Sequence, residues 1–141
     1  LLCSNLHAAL ALAQLHRADE LIAARLRVHA GWRDALGAMP GLSFQAAHGE
    51  AVFWLTAVRV GPAFTRLDPR DLAAALEEAG VETRPGFTPL SWMPHLERGD
   101  ETPVADALYR SLLVLPSGPD VTAEDQAHVR AVLLRVVGHE S

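Results

Sequence analysis

The stretch LDPRDLAAALEEAGVETRP, residues 67–85, predicts a helix followed at once by a strand. Asp68 can accept hydrogen bonds from free backbone N–H groups at a helix start, and Pro69 suits the first helical position. Leu72 and Leu76 are four residues apart, so both face the same side of that helix. A glycine then ends the helix, and the residues after it are predicted to be extended. This succession is typical of a domain that packs helices on a sheet.

A long helix is predicted over residues 5–36, before this unit. Its apolar residues recur at steps of three and four along one stripe from Leu6 to Trp32. Ser4 is a plausible N-cap, and Gly37 is a plausible end. At about 1.5 Å per residue, the helix would extend further than a small domain needs. We therefore expect part of its stripe to pack against something else.

The remaining segments complete a small, mostly antiparallel sheet covered by helices, so the fold class is α/β, of the α+β type. The segment AVFWLTAVRV is apolar on both faces in its middle, which predicts a position inside the sheet. Thr122 and Asp125 form a variant of the capping box at the start of the last helix. The further predicted elements are strands over 41–47, 51–60 and 113–116 and helices over 102–112 and 122–137.

Composition excludes several classes of function. The formal charge is −5 and no basic run is present, so a nucleic acid or an anionic membrane is not an expected partner. No apolar run approaches the roughly 20 residues of a membrane helix. Cys3 is the only cysteine, which excludes an internal disulfide, is compatible with a cytoplasmic location, and is interpreted as a small buried hydrophobic residue.

Reactive groups are scarce. All 12 basic residues are arginines, so this chain cannot supply the amine of a lysine Schiff base or the lysine of a phosphate-binding loop. No G-x-S-x-G motif for a nucleophilic serine occurs. The seven histidines have no i,i+4 pair and no H-E-x-x-H spacing, so no metal site is predicted. We expect no catalytic residue in this chain.

The segment VETRPGFTPLSWMP, residues 81–94, is a stiff loop with features that a simple connector does not need. Its three prolines exclude an α-helix, because each removes a backbone donor and favours extended geometry before it. It nevertheless carries Arg84, Phe87 and Trp92. A long loop in a compact domain is more often functional than not.

Four segments resemble, in the same order, those of the DegT/DnrJ/StrS sugar aminotransferases, of the aspartate aminotransferase superfamily. The first segment matches the family's S-N-(I/L)-x-A-A helix, and the second its central strand. The third matches its R-x-x-L-x-x-x-L-x-x-x-G-(I/V)-x-(T/S)-R-P-x-(F/Y)-x-P-(L/M)-H segment, and the fourth its ending. The segments are SNLHAALALAQLHRADELIAARLRVHAGWRDAL (4–36), AVFWLTAVRV (51–60), RDLAAALEEAGVETRPGFTPLSWMP (70–94) and PVADALYRSLLVLPSGPDVTAEDQAHVRAVL (103–133).

The resemblance implies an organisation and an activity. Residues 1–37 would be the helix that connects to a large domain absent from this sequence, and residues 38–141 the C-terminal small domain. Enzymes of this family use pyridoxal phosphate to aminate nucleotide-linked keto-sugars and work as dimers. Their cofactor lysine lies on the large domain, so the resemblance implies an inactive isolated chain that holds no cofactor covalently. A polar residue that reaches the cofactor phosphate in many relatives corresponds to Leu1 or Leu2 here.

The resemblance also assigns roles to the stiff loop, which in the family folds over the mouth of the active site. Arg84 would offer two parallel donors to a carboxylate or phosphate. Phe87 and Trp92 would cover a sugar face, or would only pack the loop in place. Ser91 stands where the family usually has a histidine, which puts a donor or acid role there in doubt. We expect Arg84 to lie at a concave surface formed by residues 84–95, although Glu82 or Glu97 could pair with it.

Three readings stay open from the sequence. In the first, the chain is the small domain of a sugar aminotransferase that helps to close over the amino donor and the sugar nucleotide. In the second, it is a free-standing, non-catalytic module for association or sugar-nucleotide binding. In the third, it is an unrelated α/β enzyme. An upstream reading frame that encodes a lysine-bearing domain would distinguish the first reading from the other two.

Overall fold

The computed structural model describes residues 3–96 and 101–138 of the chain. A short 3-10 turn, Leu90–Trp92, lies in the stiff loop. The helices within these ranges are α1 (Asn5–Leu15), α2 (Ala18–Leu36), α3 (Pro69–Glu78), α4 (Pro103–Tyr109) and α5 (Ala123–Gly138), and the strands are β1 (Leu42–Phe44), β2 (Thr56–Val60), β3 (Arg84–Pro85) and β4 (Leu112–Leu115). None of the described helices has both the length and the apolar character to cross a membrane.

The strands form one sheet in the order β1-β2-β4-β3, and each neighbouring pair is antiparallel. Leu42 lies opposite Val60, and Val58 lies opposite Leu113, so these apolar residues share one face. β2 lies inside the sheet, as the sequence predicts. The α/β class, with a small antiparallel sheet and covering helices, is confirmed.

The core lies between that sheet face and the inner sides of α2, α3 and α5. Trp32 of α2 is fully buried, and its indole Nε1 donates to the carbonyl oxygen of Pro116 at 2.8 Å. Gly31 leaves the space in which Gln126 of α5 reaches the carbonyl oxygen of Val28 at 2.8 Å. The largest fully buried side chains are Trp32, Leu36, Leu72, Leu76, Leu113, Leu115 and Leu133.

The helix boundaries predicted from capping residues are confirmed. The Asp68 carboxylate accepts from the backbone N–H groups of Arg70 and Asp71 at 2.7 and 3.2 Å. Gly80 has φ of +82°, a left-handed conformation that glycine adopts without a steric penalty. The Thr122 hydroxyl accepts from the backbone N–H of Asp125 at 3.1 Å, which completes the predicted capping box.

The prediction of one unbroken helix over residues 5–36 is wrong. A turn separates α1 from α2, and Arg17 has φ of −110° and ψ of 12°, outside the helical region. The N–H of Arg17 donates to the carbonyl oxygen three residues back, at Gln14. Its guanidinium pairs with Glu20 at 2.8 Å, one turn into α2. Asp19 and Glu20 lie in the first turn of α2, where negative charge is favourable.

The predicted strands over 41–47 and 51–60 are too long. β1 ends at Phe44, and β2 begins only at Thr56. Phe53 has φ of +50°, so its backbone cannot continue an extended strand. Its ring stacks on the imidazole of His29 with centroids 3.7 Å apart, and this packing takes the place of strand pairing. The interpretation of Cys3 as buried is also wrong, because it is exposed at the start of an uncovered helix.

Candidate functional site

The face of the sheet opposite the core is open in part and positions the predicted site residues. The register places Ala57, Val114 and Arg84 side by side on this face. Arg59 and Leu112 lie opposite each other on the next row. No helix of the core cluster covers this face among the described residues. The segment after β3 and the turn before β2 border it instead.

Two aromatic side chains from these borders form what we call the aromatic cleft, lined by Trp54, Phe87, Ala57, Leu112 and Val114 among others. Its volume is about 250 Å³. The rings of Trp54 and Phe87 are nearly parallel, with an angle of 17° and centroids 6.4 Å apart. Both are largely exposed, at 65% and 74%. Large aromatic rings left in water beside a concave apolar surface are typical of a ligand or partner site.

The position of Trp54 depends on a contact with α2. The Arg25 guanidinium donates to the Trp54 carbonyl oxygen at 2.7 Å and also to that of Ser117. These bonds hold the turn before β2 against α2, and the Trp54 side chain there is exposed. Gly86 runs close to β4, where a β-carbon would meet that of Leu112 at 3.1 Å. The close approach brings the next residue, Phe87, over the open face.

Arg84 is exposed at the sheet edge, but its guanidinium is engaged. It pairs with Glu82 at 2.8 Å, and both side chains are 77% exposed. The concavity beside it is lined by residues of α5, of the segment after β4 and of residues 80–84, including Ser117 and His128. Residues 85–95 do not line it, so the prediction that residues 84–95 form a concave surface around Arg84 is wrong. Such an exposed pair contributes only about 0–1 kcal/mol to stability. Glu97, the other proposed partner, lies outside the described residues.

Ser91 and Trp92 belong to a different surface from Arg84. The Ser91 hydroxyl lies 2.7 Å from the Thr102 hydroxyl, which donates to Asp106 at 3.3 Å. The Trp92 ring meets Tyr109 edge to face, with centroids 5.2 Å apart. The stiff loop is therefore held against α4 by hydrogen bonds and ring packing at this end.

The structure thus divides the four predicted residues. Phe87 joins the aromatic cleft, Arg84 lies at the sheet edge, and Ser91 and Trp92 contact α4. Trp54 was not predicted as a site residue, because the sequence placed it within a buried strand. One signal was available: a strand of ten residues is longer than the usual five or six, so one end was open to another conformation.

Four residues of α2 are buried, and His29, at 5% exposure, is the polar one among them. Its Nδ1 lies 3.3 Å from the Thr56 hydroxyl, and its Nε2 has no hydrogen-bond partner in the described part of the chain. Burial lowers the pKa of His29 below its usual value, and the positive charge of Arg33 lowers it further. Its ring stacks on that of Phe53, with centroids 3.7 Å apart. The described residues contain no cluster of metal-ligating side chains.

Comparison with known proteins decides the family. The model of the DegT/DnrJ/EryC1/StrS aminotransferase family matches residues 3–134. The chain belongs to this family. The resemblance read from the four sequence segments is confirmed by that match.

Named proteins and solved structures are similar to this chain. GDP-perosamine synthase of Caulobacter vibrioides is 36% identical over an alignment of 141 positions, which covers 95% of this chain and 37% of that protein. The structure of DesI with its TDP-sugar product superimposes with a TM-score of 0.81 and 27% identity, over 95% of this chain and 36% of DesI. A GDP-4-keto-6-deoxymannose-3-dehydratase with a trapped PLP-glutamate geminal diamine shares the fold, with a TM-score of 0.69 and 19% identity over 86% of this chain and 33% of that protein.

The chain spans little more than a third of the length of the curated relatives it matches. The family is pyridoxal phosphate-dependent, but the residues present here do not fit covalent retention of that cofactor. An internal Schiff base needs a lysine amine, and none of the 141 residues is a lysine. Leu1 and Leu2, to which the resemblance assigns the position of a cofactor-phosphate contact, lie outside the described residues.

Proposed function

We propose that this chain is the C-terminal small domain, with its connecting helices, of a pyridoxal phosphate-dependent sugar aminotransferase. In this proposal, residues 1–37 join it to a large domain that carries the cofactor lysine, and residues 38–141 close over the substrates. The complete enzyme would act in the cytoplasm as a homodimer. It would transfer an amino group from an amino acid to a nucleotide-linked keto-sugar in amino-sugar or deoxysugar biosynthesis.

The observation that carries the proposal is the family match across nearly the whole chain. Two exposed apolar surfaces of the described residues support it. One is the aromatic cleft, where Trp54 and Phe87 expose parallel rings. The other is α1, in which no described residue is buried. Both surfaces suit a domain that meets another protein part on one side and a substrate on the other.

The substrate side of the proposal uses the chain's own residues. Phe87 and Trp54 would cover an apolar sugar face in the aromatic cleft, and Arg84 would exchange Glu82 for an anionic group of the substrate. Ser91 and Trp92 would hold the loop through their contacts with α4 and border the substrate from there. Neither a catalytic proton transfer nor cofactor chemistry is assigned to this chain.

Complementation tests the proposal. The chain is co-expressed with the complementary portion of the Caulobacter GDP-perosamine synthase, and amino transfer to a panel of nucleotide-linked keto-sugars is measured. Transfer should require both parts. Phe87→Ala and Trp54→Ala should raise KM at least about tenfold, whereas Leu134→Ala, an exposed apolar residue of α5, should not. A stable complex that transfers no amino group to any sugar would contradict the proposal.

The isolated chain provides a second test. After incubation with pyridoxal phosphate and reduction with borohydride, we expect no pyridoxyl group on an internal peptide, because no lysine ε-amine is present. Labelling of the α-amino terminus is allowed. A pyridoxyl adduct on an internal side chain would show that cofactor binding was assigned to the wrong part of the enzyme.

The alternative function is a free-standing, non-catalytic module that binds a sugar nucleotide or associates with a partner. Lack of the cofactor amine is the observation that favours it. Calorimetry with the isolated chain and a nucleotide-linked sugar separates the two functions. Tight binding by the chain alone, with no gain from a large domain, would favour the module.

A further inference from the structure

The turn before β2 supplies one wall of the aromatic cleft, and a single side chain of α2 contacts both of its ends. Phe53, Trp54 and Leu55 of this turn line the cleft. The His29 ring stacks on Phe53 with an angle of 2° and centroids 3.7 Å apart. At the other end of the turn, the Nδ1 of His29 lies 3.3 Å from the Thr56 hydroxyl. His29 thus contacts the residues on both sides of Trp54 and Leu55.

The backbone of Phe53 needs these contacts. Its φ of +50° lies in the left-handed region, which is unfavourable for a residue with a large side chain. Such a conformation persists only where the surrounding structure holds it. In the described part of the chain, the ring contact shown for Phe53 is its stack on His29. Without that stack, we expect the backbone to relax toward extended geometry and to reorient the next residue, Trp54.

The core fixes His29 itself in place. Its neighbours on α2, Val28 and Trp32, are at 2% and 0% exposure. One turn earlier on the same helix, the Arg25 guanidinium donates to the carbonyl oxygen of Trp54 at 2.7 Å, so two side chains of α2 attach the turn. An arginine is always charged, whereas a histidine changes its charge at about pH 6.5. His29 is therefore the attachment that responds to pH.

A positive charge on His29 has no favourable partner in this position. The residues that meet the ring from β1, the turn and β2 are Phe44, Phe53 and Thr56, and all three are uncharged. On α2 itself, the positive charge of Arg33 disfavours protonation. Within the described ranges, no carboxylate pairs with the ring, and its buried Nε2 has no hydrogen-bond partner. The cost of burying this charge is relieved when the turn moves away and admits water.

From these contacts we infer that His29 is the positioning residue of the aromatic cleft, and that protonation of its ring releases the turn that carries Trp54. The neutral ring keeps Phe53 in its left-handed conformation, and Trp54 then lies nearly parallel to Phe87 across the cleft. When the ring is protonated, the stack is lost, the turn relaxes and Trp54 withdraws from Phe87. That the cleft covers a sugar rests on the proposed function, whereas the role of His29 rests on these contacts alone.

The three tryptophans allow the inference to be tested on the chain without ligand or cofactor. They are replaced by 5-fluorotryptophan and followed by fluorine-19 NMR between about pH 7.5 and about pH 5, a range that includes the ordinary pKa of histidine. Trp54 reports on the turn, Trp32 on the core and Trp92 on the contact with α4. We expect the Trp54 signal alone to shift, with the midpoint measured for the His29 ring. Equal shifts of all three signals would indicate general unfolding and overturn the inference, as would a Trp54 signal that does not follow His29.

Variants separate His29 from the other histidine near the turn. His29→Phe keeps a ring on Phe53 and cannot be protonated, so its Trp54 signal should stay at the neutral position throughout the titration. His48→Gln removes the exposed histidine of the segment before the turn and should leave the midpoint unchanged. His29→Ala removes the stacked ring, so its Trp54 signal should lie at the acidic position at every pH, with Trp32 unmoved. Where the alanine variant does not fold, His29→Phe decides. A shift that survives in His29→Phe and disappears in His48→Gln would overturn the inference.

The consequence for the substrate is measured in the complementation assay. The KM for the sugar of the unaltered chain, divided by that of His29→Phe, should rise at least about threefold from pH 7.5 to 5.5, because the division cancels the pH dependence that both share. If Trp54→Ala raises KM and this ratio stays constant, the inference is overturned. If the Trp54 signal follows His29 but no amino group is transferred, the role of His29 is supported and the proposed function alone fails.

Discussion

Helices α1 and α2 follow one another in the chain and carry the same apolar stripe, yet their surroundings differ. In α1, Leu6 and Leu10 are 69% and 58% exposed, and none of its residues is buried. In α2, Val28 and Trp32 are at 2% and 0% exposure, against the sheet and α5. The difference shows that an apolar stripe predicts which face of a helix packs against other residues, but not whether those residues belong to this chain.

Truncation of Trp32 should have the largest effect. Trp32→Ala removes a fully buried ring and its hydrogen bond to Pro116, so we expect a loss of about 3–5 kcal/mol in the free energy of unfolding. Urea denaturation followed by circular dichroism measures it. The matched change in α1, Leu10→Ala, should cost about 0.5 kcal/mol or less. Similar losses in both variants would mean that α1 is packed in solution.

A smaller loss is expected at the contact between α2 and α5. In Gly31→Ala, the new methyl group would overlap the side chain of buried Gln126, and such overpacking costs about 1–3 kcal/mol. In a Gln126→Ala background the overlap is absent, so the same change should be neutral or stabilising by up to about 1 kcal/mol, since alanine favours a helix. A double-mutant cycle gives the coupling. Additive effects would contradict the close approach of the two helices.

Acidification should weaken the α2 side of the core through His29. The pKa of His29 is lowered in the folded state, so the unfolded chain takes up a proton near pH 6.5, before the folded one does. The contribution of His29 to the free energy of unfolding is therefore fully present above about pH 6.5. It decreases as the pH falls from there toward the lowered pKa of His29 in the folded state. Denaturation curves between pH 7.5 and about 5 measure the slope.

His29→Phe keeps the stacked ring over Phe53 and removes the titrating group, so it should flatten this slope. The exposed His16→Gln variant serves as the control for the loss of a histidine. If the slope persists in His29→Phe and disappears in His16→Gln, the pH dependence arises at the end of α1 and not in α2, and the prediction is wrong.

The smallest effect on folding is expected in α1, where association should change instead. Leu6→Ser with Leu10→Ser should leave the free energy of unfolding within about 0.5 kcal/mol, because both side chains are exposed. The unaltered chain should self-associate through this surface, and the double variant should do so less. Sedimentation velocity over a range of concentrations measures it. A monomeric unaltered chain at high concentration would show that α1 does not seek a partner.

The sequence by itself determined the elements whose ends are set by local chemistry. Asp68 and Pro69 begin α3, a glycine ends it, and Thr122 with Asp125 begins α5, because capping bonds involve neighbours in the chain. The absence of lysine determined that this chain cannot supply the amine of a lysine Schiff base. The order of four family segments was enough to identify the family.

Only the tertiary structure decided where apolar residues lie relative to water. The run before β2 was predicted as strand, but Phe53 turns the backbone to stack on His29, and Trp54 is left exposed. The same holds for Arg70 and Arg110, whose guanidiniums lie over the rings of Tyr109 and Trp92 in contacts that join three separate segments. Contacts between residues distant in the chain depend on how the helices pack on the sheet, and local propensity carries no information about that packing.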